Sequence, residues 1–525
     1  MAQSTARTQP ARPRGERFVL NVLWSWTGVA ASVFMGFVVT PIVIRKLGPE
    51  HYGIWLQVFS ILEYFWLFDL GFNPAITNFC ARFQAVRDDE RINQVINTAL
   101  FYFSMIAVAI WVTTPILAIR AARFFKVAEA DRHEFSTLIL LTGLCFGLQM
   151  MLHLFLSALD GFQRFDLTSR VMVLQVVLRS SGYFVVLELG YGLVQMAEVF
   201  IAAQLLGYGL NFLNFRRAFP QMRLGTRYVS RTMFGDILRY GLKSFVASNS
   251  TLALSQSGVL AVGHYLGETA VGFFGLPSRM LQQVTDVISR VGMVTRSSAA
   301  ELTATDQREE TIALGVYANR YSLALFMPLS VFLLVWGRPL LMRWVHNPAM
   351  VAGSAPLLPV FLLSYSLVLA GQFSSSSLLY GVGRHGGYAR GLLVEALLYV
   401  AGLVWVVPRY GILGAAWISA SLMIAVRGVY TPWLVCRALD YSFPAYMRRI
   451  YVRPLVAALP AFALALLLRT NGLPGASWFQ LVVAGGLVSL AYGAVALFLC
   501  VTPGHRSMLF SRLPVIGPFF QLSRA

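Results

Sequence analysis

Residues 36–83 read GFVVTPIVIRKLGPEHYGIWLQVFSILEYFWLFDLGFNPAITNFCARF. An apolar run closes at Ile44, and a short polar connection follows: Arg45, Lys46, Leu47, Gly48, Pro49, Glu50, His51, Tyr52 and Gly53. A second apolar run, 54–81, starts at once and carries Asp69, Gly71, Asn73 and Pro74 near its middle. Neither run alternates polar and apolar residues as a barrel strand does. Both are long enough for membrane-spanning helices of ~20 residues. A carboxylate at mid-depth in hydrocarbon costs several kcal/mol, by contested estimates of roughly 2.5 to more than 10. Asp69 is therefore expected to face a wet cavity or a partner.

The rest of the chain has the same character. Of its 525 residues 57% are hydrophobic and 12% charged, against about 25% charged in soluble domains. The reading is an all-α integral membrane protein. The net charge is +19, which in a soluble chain points to nucleic acid. Here it reflects Arg and Lys gathered in cytoplasmic loops, and no nucleic-acid partner is expected. Cys80, Cys145, Cys436 and Cys500 are scattered without CxxC or His company, so neither a metal site nor a disulfide framework is indicated. No GxxxxGK[ST] loop occurs. The outer loops are too short for a catalytic domain and show no paired carboxylates, so an enzyme is not expected, nor a cofactor.

Periodicity and run length give fourteen membrane helices between residues 18 and 501. Residues 1–17 are rich in Arg, Pro and Ser and are expected to be a disordered cytoplasmic terminus. The run that follows is too long for a cleaved signal. The organisation expected is an N-lobe of six helices (18–216), a cytoplasmic basic linker (217–235), a C-lobe of six helices (236–437), a C-terminal helix pair (450–501) and a cytoplasmic tail (502–525). Placing both termini in the cytoplasm puts the Arg-rich stretch 216–239 and most other basic loops inside.

A short repeat supports the two lobes. Leu47-Gly48-Pro49-Glu50-His51-Tyr52-Gly53 joins helices one and two, and Leu266-Gly267-Glu268-Thr269-Ala270-Val271-Gly272 joins helices seven and eight. Asp69 has a rough counterpart in Asp286. Two lobes related by an axis along the membrane normal are an arrangement in which transporters hold substrate between the halves.

The polar residues at membrane depth gather on helices one, two, seven and eight. In helix eight Arg279, Gln282, Gln283, Asp286 and Arg290 recur at helical spacing on one face. Helix seven adds Lys243, Asn249 and Gln256; helix two adds Glu63, Trp66, Asp69 and Asn73. One explanation is structural, an Asp286–Arg290 pair holding two helices together. The other is a cationic, water-filled cavity wall, with Arg179 and Arg320 as further cations. Arg427 and Glu395 are expected to be structural partners or snorkelling groups near a helix end, and His153 and His264 packing histidines. Arginine suits a phosphate diester or pyrophosphate, because its planar fork bonds such groups in pairs.

The RKLGPEHYGIW turn, the FDLGFNPAITNFCARF segment with its DLG and the fourteen helices resemble the polysaccharide-transporter branch of the multidrug/oligosaccharidyl-lipid/polysaccharide (MOP) exporter superfamily, the Wzx-type flippases. The likeness is sharpest over 36–83. It implies a V-shaped pair of lobes that moves undecaprenyl-pyrophosphate-linked oligosaccharide across the bacterial inner membrane by alternating access, for O-antigen or exopolysaccharide synthesis. By that likeness the cationic cavity holds the pyrophosphate, and Asp69, Asp286 and Glu63 are candidates for coupling-ion or gating groups, with H+ or Na+ left open. Polysaccharide polymerase or assembly proteins are implied partners. The alternatives are a cation-coupled drug exporter of the same superfamily, whose cavity is usually acidic, and a non-transporting scaffold for polysaccharide assembly.

Overall fold

The structure, a computed structural model, describes residues 14–369, 371, 373–475 and 477–512. Its side chains are described from Ala31 onward, except at 243, 244, 290–294, 297, 373 and 508–512. The elements are α-helices throughout, joined by short 3-10 turns. In order they are α1 (Arg14–Glu63), α2 (Phe72–Ala85), α3 (Asp89–Phe124), α4 (Arg132–Gly161), α5 (Phe165–Glu188), α6 (Leu193–Ala218), α7 (Arg231–Leu266) and α8 (Glu268–Ala304). There follow α9 (Arg308–Val345), α10 (Pro348–Ser354), α11 (Leu358–Leu369), α12 (Phe373–Gly381), α13 (Gly386–Met423), α14 (Thr431–Ala438), α15 (Phe443–Thr470), α16 (Trp478–Leu499) and α17 (Pro503–Arg512). A π-helical stretch, Ile424–Tyr430, joins α13 to α14.

Ten helical segments among the described residues are long and apolar enough to cross a membrane. Their outer faces carry large bare side chains, such as Phe479 and Leu490, exposed at 76% and 72%. Surfaces of that kind need hydrocarbon or a partner around them. The helices α7 and α8, 36 and 37 residues long, are not among the ten. They hold several of the polar residues that the sequence singled out, among them Asn249, Gln256, Arg279, Gln282, Gln283 and Asp286.

The chain divides into two compact units. The first comprises Met1–Val39, Phe65–Arg120 and His133–Phe245; the second comprises Thr40–Tyr64, Ala121–Arg132 and Val246–Ala525. In the first unit α5 packs on α6, and in the second α8 packs on α12 and α9 on α15 and α16. The stretch Thr40–Tyr64 around the Gly48 break thus belongs with the second unit.

One expectation along 36–83 is met and one is corrected. The polar connection after Ile44 is as short as expected: α1 runs through it and breaks at Gly48 alone, with φ 87° and ψ 171°. Pro49 follows, at the start of the next helical stretch, where its missing N–H removes no helical bond. The run 54–81 is not one continuous helix. It is helical to Glu63, tightens to a 3-10 turn over Tyr64–Asp69, and reverses at Leu70 and Gly71, with φ 47° and 79°. A β-carbon on Gly71 would lie 2.3 Å from the Gly241 carbonyl oxygen, and one on Gly241 would lie 2.5 Å from that of Leu70. The backbones of α7 and the DLG turn touch because neither glycine has a side chain.

The repeat is visible in backbone geometry. Gly267, before α8, has φ 84° and ψ 179°, nearly the values at Gly48. The two turns also meet reciprocally inside the second unit. A β-carbon on Gly53 would fall 1.8 Å from the Glu268 carbonyl oxygen, and one on Gly272 would fall 2.5 Å from that of Pro49. Pro49 and Glu268 occupy equivalent places after Gly48 and Gly267, so the contact is self-complementary, as at a two-fold axis. The Asp69–Asp286 equivalence does not hold. Asp286 lies within the unbroken helix α8, whereas Asp69 ends a 3-10 turn.

The helix expected to start near 18 already begins at Arg14; residues 1–13 and 513–525 lie outside the described ones. The four cysteines are free and buried.

Candidate functional site

Two polar groups stand out, one in each unit. In the second unit, Glu63 ends the helical part of α1, and Gln256 sits in the C-terminal half of α7. The Gln256 Nε2 donates to Glu63 Oε2. On its other side Gln256 Oε1 accepts from Arg279 Nη2 at 3.3 Å. A carboxylate, a carboxamide and a guanidinium from three helices thus form one chain. Gln256 is 2% exposed, while Glu63 and Arg279 are partly exposed. Arg279 is close enough to Glu63 and to the buried Tyr52 phenol to act on both electrostatically. Beside the chain, Tyr64 and Ser257 share a hydroxyl–hydroxyl bond of 2.7 Å.

The polar face of α8 continues past Arg279. Gln282 Nε2 donates to Asp286 Oδ1 at 2.8 Å, and the Tyr365 hydroxyl donates to Gln282 Oε1 at 3.2 Å. Gln282 and Asp286 are exposed on this unit, and Gln283 is partly so. Tyr365 feels both Asp286 and Arg279, and Arg427 as well. Arg427 rises from the π-helical stretch and meets Glu395, with Nε 2.9 Å from Oε1 and 3.0 Å from Oε2. Glu395 is fully buried, so the pair keeps a charge from being buried alone. These two are structural partners, as expected.

In the first unit, Asp69 is satisfied locally. Its Oδ1 accepts from the backbone N–H of Asn73 at 3.2 Å and from Asn73 Nδ2 at 2.5 Å. The carboxylate therefore caps the first turn of α2, where amide donors have no helical partner and a negative charge is favoured. Asn73 Oδ1 accepts from Ser157 Oγ at 2.8 Å and from His153 Nδ1 at 3.1 Å. Trp66 meets His153 edge-on at 5.0 Å between ring centres. The partner predicted for a carboxylate at membrane depth is thus an asparagine four residues on, with a histidine behind it.

The remaining candidates fall differently. Arg320, expected as a cavity cation, is corrected: it is 3% exposed, donates from Nε to the Arg449 carbonyl at 2.7 Å and from Nη1 to the Cys500 carbonyl at 3.4 Å. It ties α9 to α15 and to the end of α16. Arg179 is partly exposed beside Tyr183, and Asn249 is partly buried on α7. The side chains of Lys243 and Arg290 lie outside the described ones. Nothing in the run FLLSYSLVL singled out Tyr365, because tyrosines populate membrane interfaces by default. The Tyr64–Ser257 bond likewise joins residues with no distinctive spacing.

A family model for polysaccharide biosynthesis proteins matches residues 18–295. The uncharacterized membrane protein EpsK of Bacillus subtilis strain 168 is 22% identical over 518 residues, 94% of this chain and 98% of that protein. Among solved structures, lipid II flippase MurJ in an inward closed conformation superposes with a TM-score of 0.72 at 13% identity, over 91% of this chain and 98% of MurJ. An inward-facing multidrug resistance MATE transporter of the MOP superfamily superposes with a TM-score of 0.63 at 16% identity, over 79% and 96%. The chain is a multi-pass membrane protein that belongs to the polysaccharide biosynthesis protein family and carries the fold of the MOP-superfamily transporters.

Proposed function

We propose that the protein is a flippase. It moves undecaprenyl-pyrophosphate-linked oligosaccharide units across the bacterial inner membrane by alternating access, for O-antigen or exopolysaccharide synthesis. The observation that carries this reading is Arg279, a guanidinium at membrane depth that one neutral amide holds and that remains partly exposed. Guanidinium offers about five N–H donors, and Gln256 takes up one of them. The others suit the oxygens of a pyrophosphate, which charge-assisted pairs bind strongly. Glu63 acts on Arg279 through Gln256, so an arriving anion competes with a carboxylate that is already placed. Membership in a polysaccharide family and a fold shared with a lipid II flippase support the same substrate class.

In this reading Lys243, Arg290 and Arg179 supplement the cationic wall, and Arg320 does not. Glu63, Asp69 and Asp286 are the gating or coupling candidates, with Asn73, Asn249, Gln282 and Gln283 as polar lining. The lobes are 18–216 and 236–437. The breaks at Gly48 and Gly411 allow the long helices α1 and α13 to supply two passes each, consistent with fourteen passes and both termini in the cytoplasm. Polymerase or assembly proteins receive the flipped unit. Replacing Arg279 and Arg290 together with Ala abolishes surface polysaccharide while the protein stays in the membrane; normal polysaccharide from the double variant contradicts the reading.

The MATE-like fold favours one second reading, a cation-coupled drug exporter. Such a protein needs an acidic binding wall, and the partly exposed Arg279 works against it. A deletion strain that gains drug susceptibility and keeps its polysaccharide supports the exporter.

A further inference from the structure

The stretch 219–230, between α6 and α7, is strapped to α3. Asn93 Nδ2 donates to the Gln221 carbonyl at 3.1 Å, and Asn93 Oδ1 accepts from the Arg223 N–H at 2.7 Å. One turn on, Asn97 Nδ2 donates to the Arg223 carbonyl at 2.7 Å, and Asn97 Oδ1 accepts from the Gly225 N–H at 2.9 Å. Thr98 Oγ1 accepts from the Ser230 N–H at 3.0 Å. Asn93, Asn97 and Thr98 are all at least 96% buried by this contact and the surrounding helices. Two carboxamides thus read the backbone of the loop in both directions, as a strand partner does. A linker built only to be flexible needs no such fixings.

The fixed loop holds its charge outward. Arg216, Arg217, Arg223, Arg227, Arg231 and Arg239 are all exposed, and Asp236 is the one acid between them. Arg227 and Arg223 both donate to the Tyr228 hydroxyl, and Arg227 also lies over its ring at 4.6 Å. The guanidinium of Arg223, then that of Arg227, pulls the Tyr228 phenol below its usual value. Between these arginines Leu224 is 53% exposed. The acids at the start of α3, Asp88, Asp89 and Glu90, are matched in number by Arg82, Arg87 and Arg91 nearby in sequence, so the loop's excess is not cancelled.

The depth of this surface follows from helix length. The 36 residues of α3 make a rod of about 54 Å, against a hydrocarbon core of ~30 Å. The continuous apolar run of α3 begins at Ala99, directly after the residues that hold the loop. The loop therefore lies at headgroup level. Arginines around one bare leucine, at that depth, form an interfacial membrane-binding pattern; an acidic protein partner gives no role to Leu224.

We propose that 219–230 is a preorganised platform for anionic phospholipid headgroups, held in shape by Asn93, Asn97 and Thr98. The test uses the full chain in detergent, titrated with dioleoyl phosphatidylglycerol or dioleoyl phosphatidylcholine and read by native mass spectrometry. The wild type binds the anionic lipid more tightly. Arg223→Ala with Arg227→Ala weakens that binding by about tenfold or more, since each juxtamembrane arginine contributes about fivefold, and leaves the zwitterionic lipid unaffected. Asn93→Ala with Asn97→Ala keeps every arginine and still weakens binding; Arg223→Lys with Arg227→Lys preserves it. Equal binding of both lipids by the wild type, or undiminished phosphatidylglycerol binding in the double alanine variant, overturns the proposal. Full competition by inorganic phosphate, or by a polyglutamate peptide at equal charge, overturns it in favour of a free anion or an acidic protein.

Discussion

The reciprocal glycine contact makes Gly53→Ala the sharpest structural test. The added β-carbon would stand 1.8 Å from the Glu268 carbonyl oxygen and 2.7 Å from its carbon. Ordinary contact begins near 3.4 Å, so the two helices must part by about 1.6 Å. The obstacle is backbone, which has no rotamer to change. Overpacking of this kind costs typically 1–3 kcal/mol, and the gain of about 1 kcal/mol from replacing a helical glycine offsets only part. A net loss of about 2 kcal/mol is expected. Gly272→Ala meets Pro49 oxygen at 2.5 Å, a smaller overlap, and its net cost is expected near about 1 kcal/mol. The double variant opens the same gap once, so the two costs do not add. Gly493→Ala is the control, because nothing lies within 4 Å of its β-carbon. Thermal unfolding of the purified protein in detergent reads all four. A Gly53→Ala protein that melts with the wild type, or a cost for Gly272→Ala above that for Gly53→Ala, refutes the described contact.

Arg320→Ala removes two hydrogen bonds from a charged donor, to the Arg449 and Cys500 carbonyls, each worth about 1.5–3 kcal/mol; thermal unfolding falls accordingly, and Lys, a point charge, does not restore it. Arg427→Ala strands the buried Glu395 carboxylate and costs about 3–5 kcal/mol, whereas Arg427→Met with Glu395→Leu costs much less, measured the same way. Asp69→Ala removes the cap on α2 and lowers stability by about 1 kcal/mol. Asp69→Asn retains the accepting oxygen and recovers most of that loss in the same melt; failure to recover it contradicts the capping role.

The membrane class, the polar face of α8 and the paired turns were all legible from hydrophobic run length, helical spacing and a seven-residue repeat. Those signals are local. What eluded them is what backbone geometry decides. The DLG segment reads as one helix because hydrophobic run length carries no information on backbone dihedrals, yet the positive φ values of Leu70 and Gly71 end one helix and start another. Arg320 and Arg279 both read in sequence as cations within membrane helices, the second on a polar helix face and the first apart from one. Only the position of the C-terminal helices makes the first a clamp on two carbonyls and leaves the second facing an amide. The strap on 219–230 was invisible for the same reason. Asn93 and Asn97 lie at ordinary helical spacing, and their partners are backbone atoms about 130 residues away.

The claim that Arg279 receives a lipid-linked pyrophosphate is tested most directly by transport itself. The purified protein, reconstituted in vesicles with an undecaprenyl-pyrophosphate-linked oligosaccharide, is scored by the share of sugar accessible from outside over time. The wild type is expected to move the lipid, and Arg279→Ala to slow it by tenfold or more, with Arg279→Lys in between. Transport by Arg279→Ala at the wild-type rate contradicts the central claim.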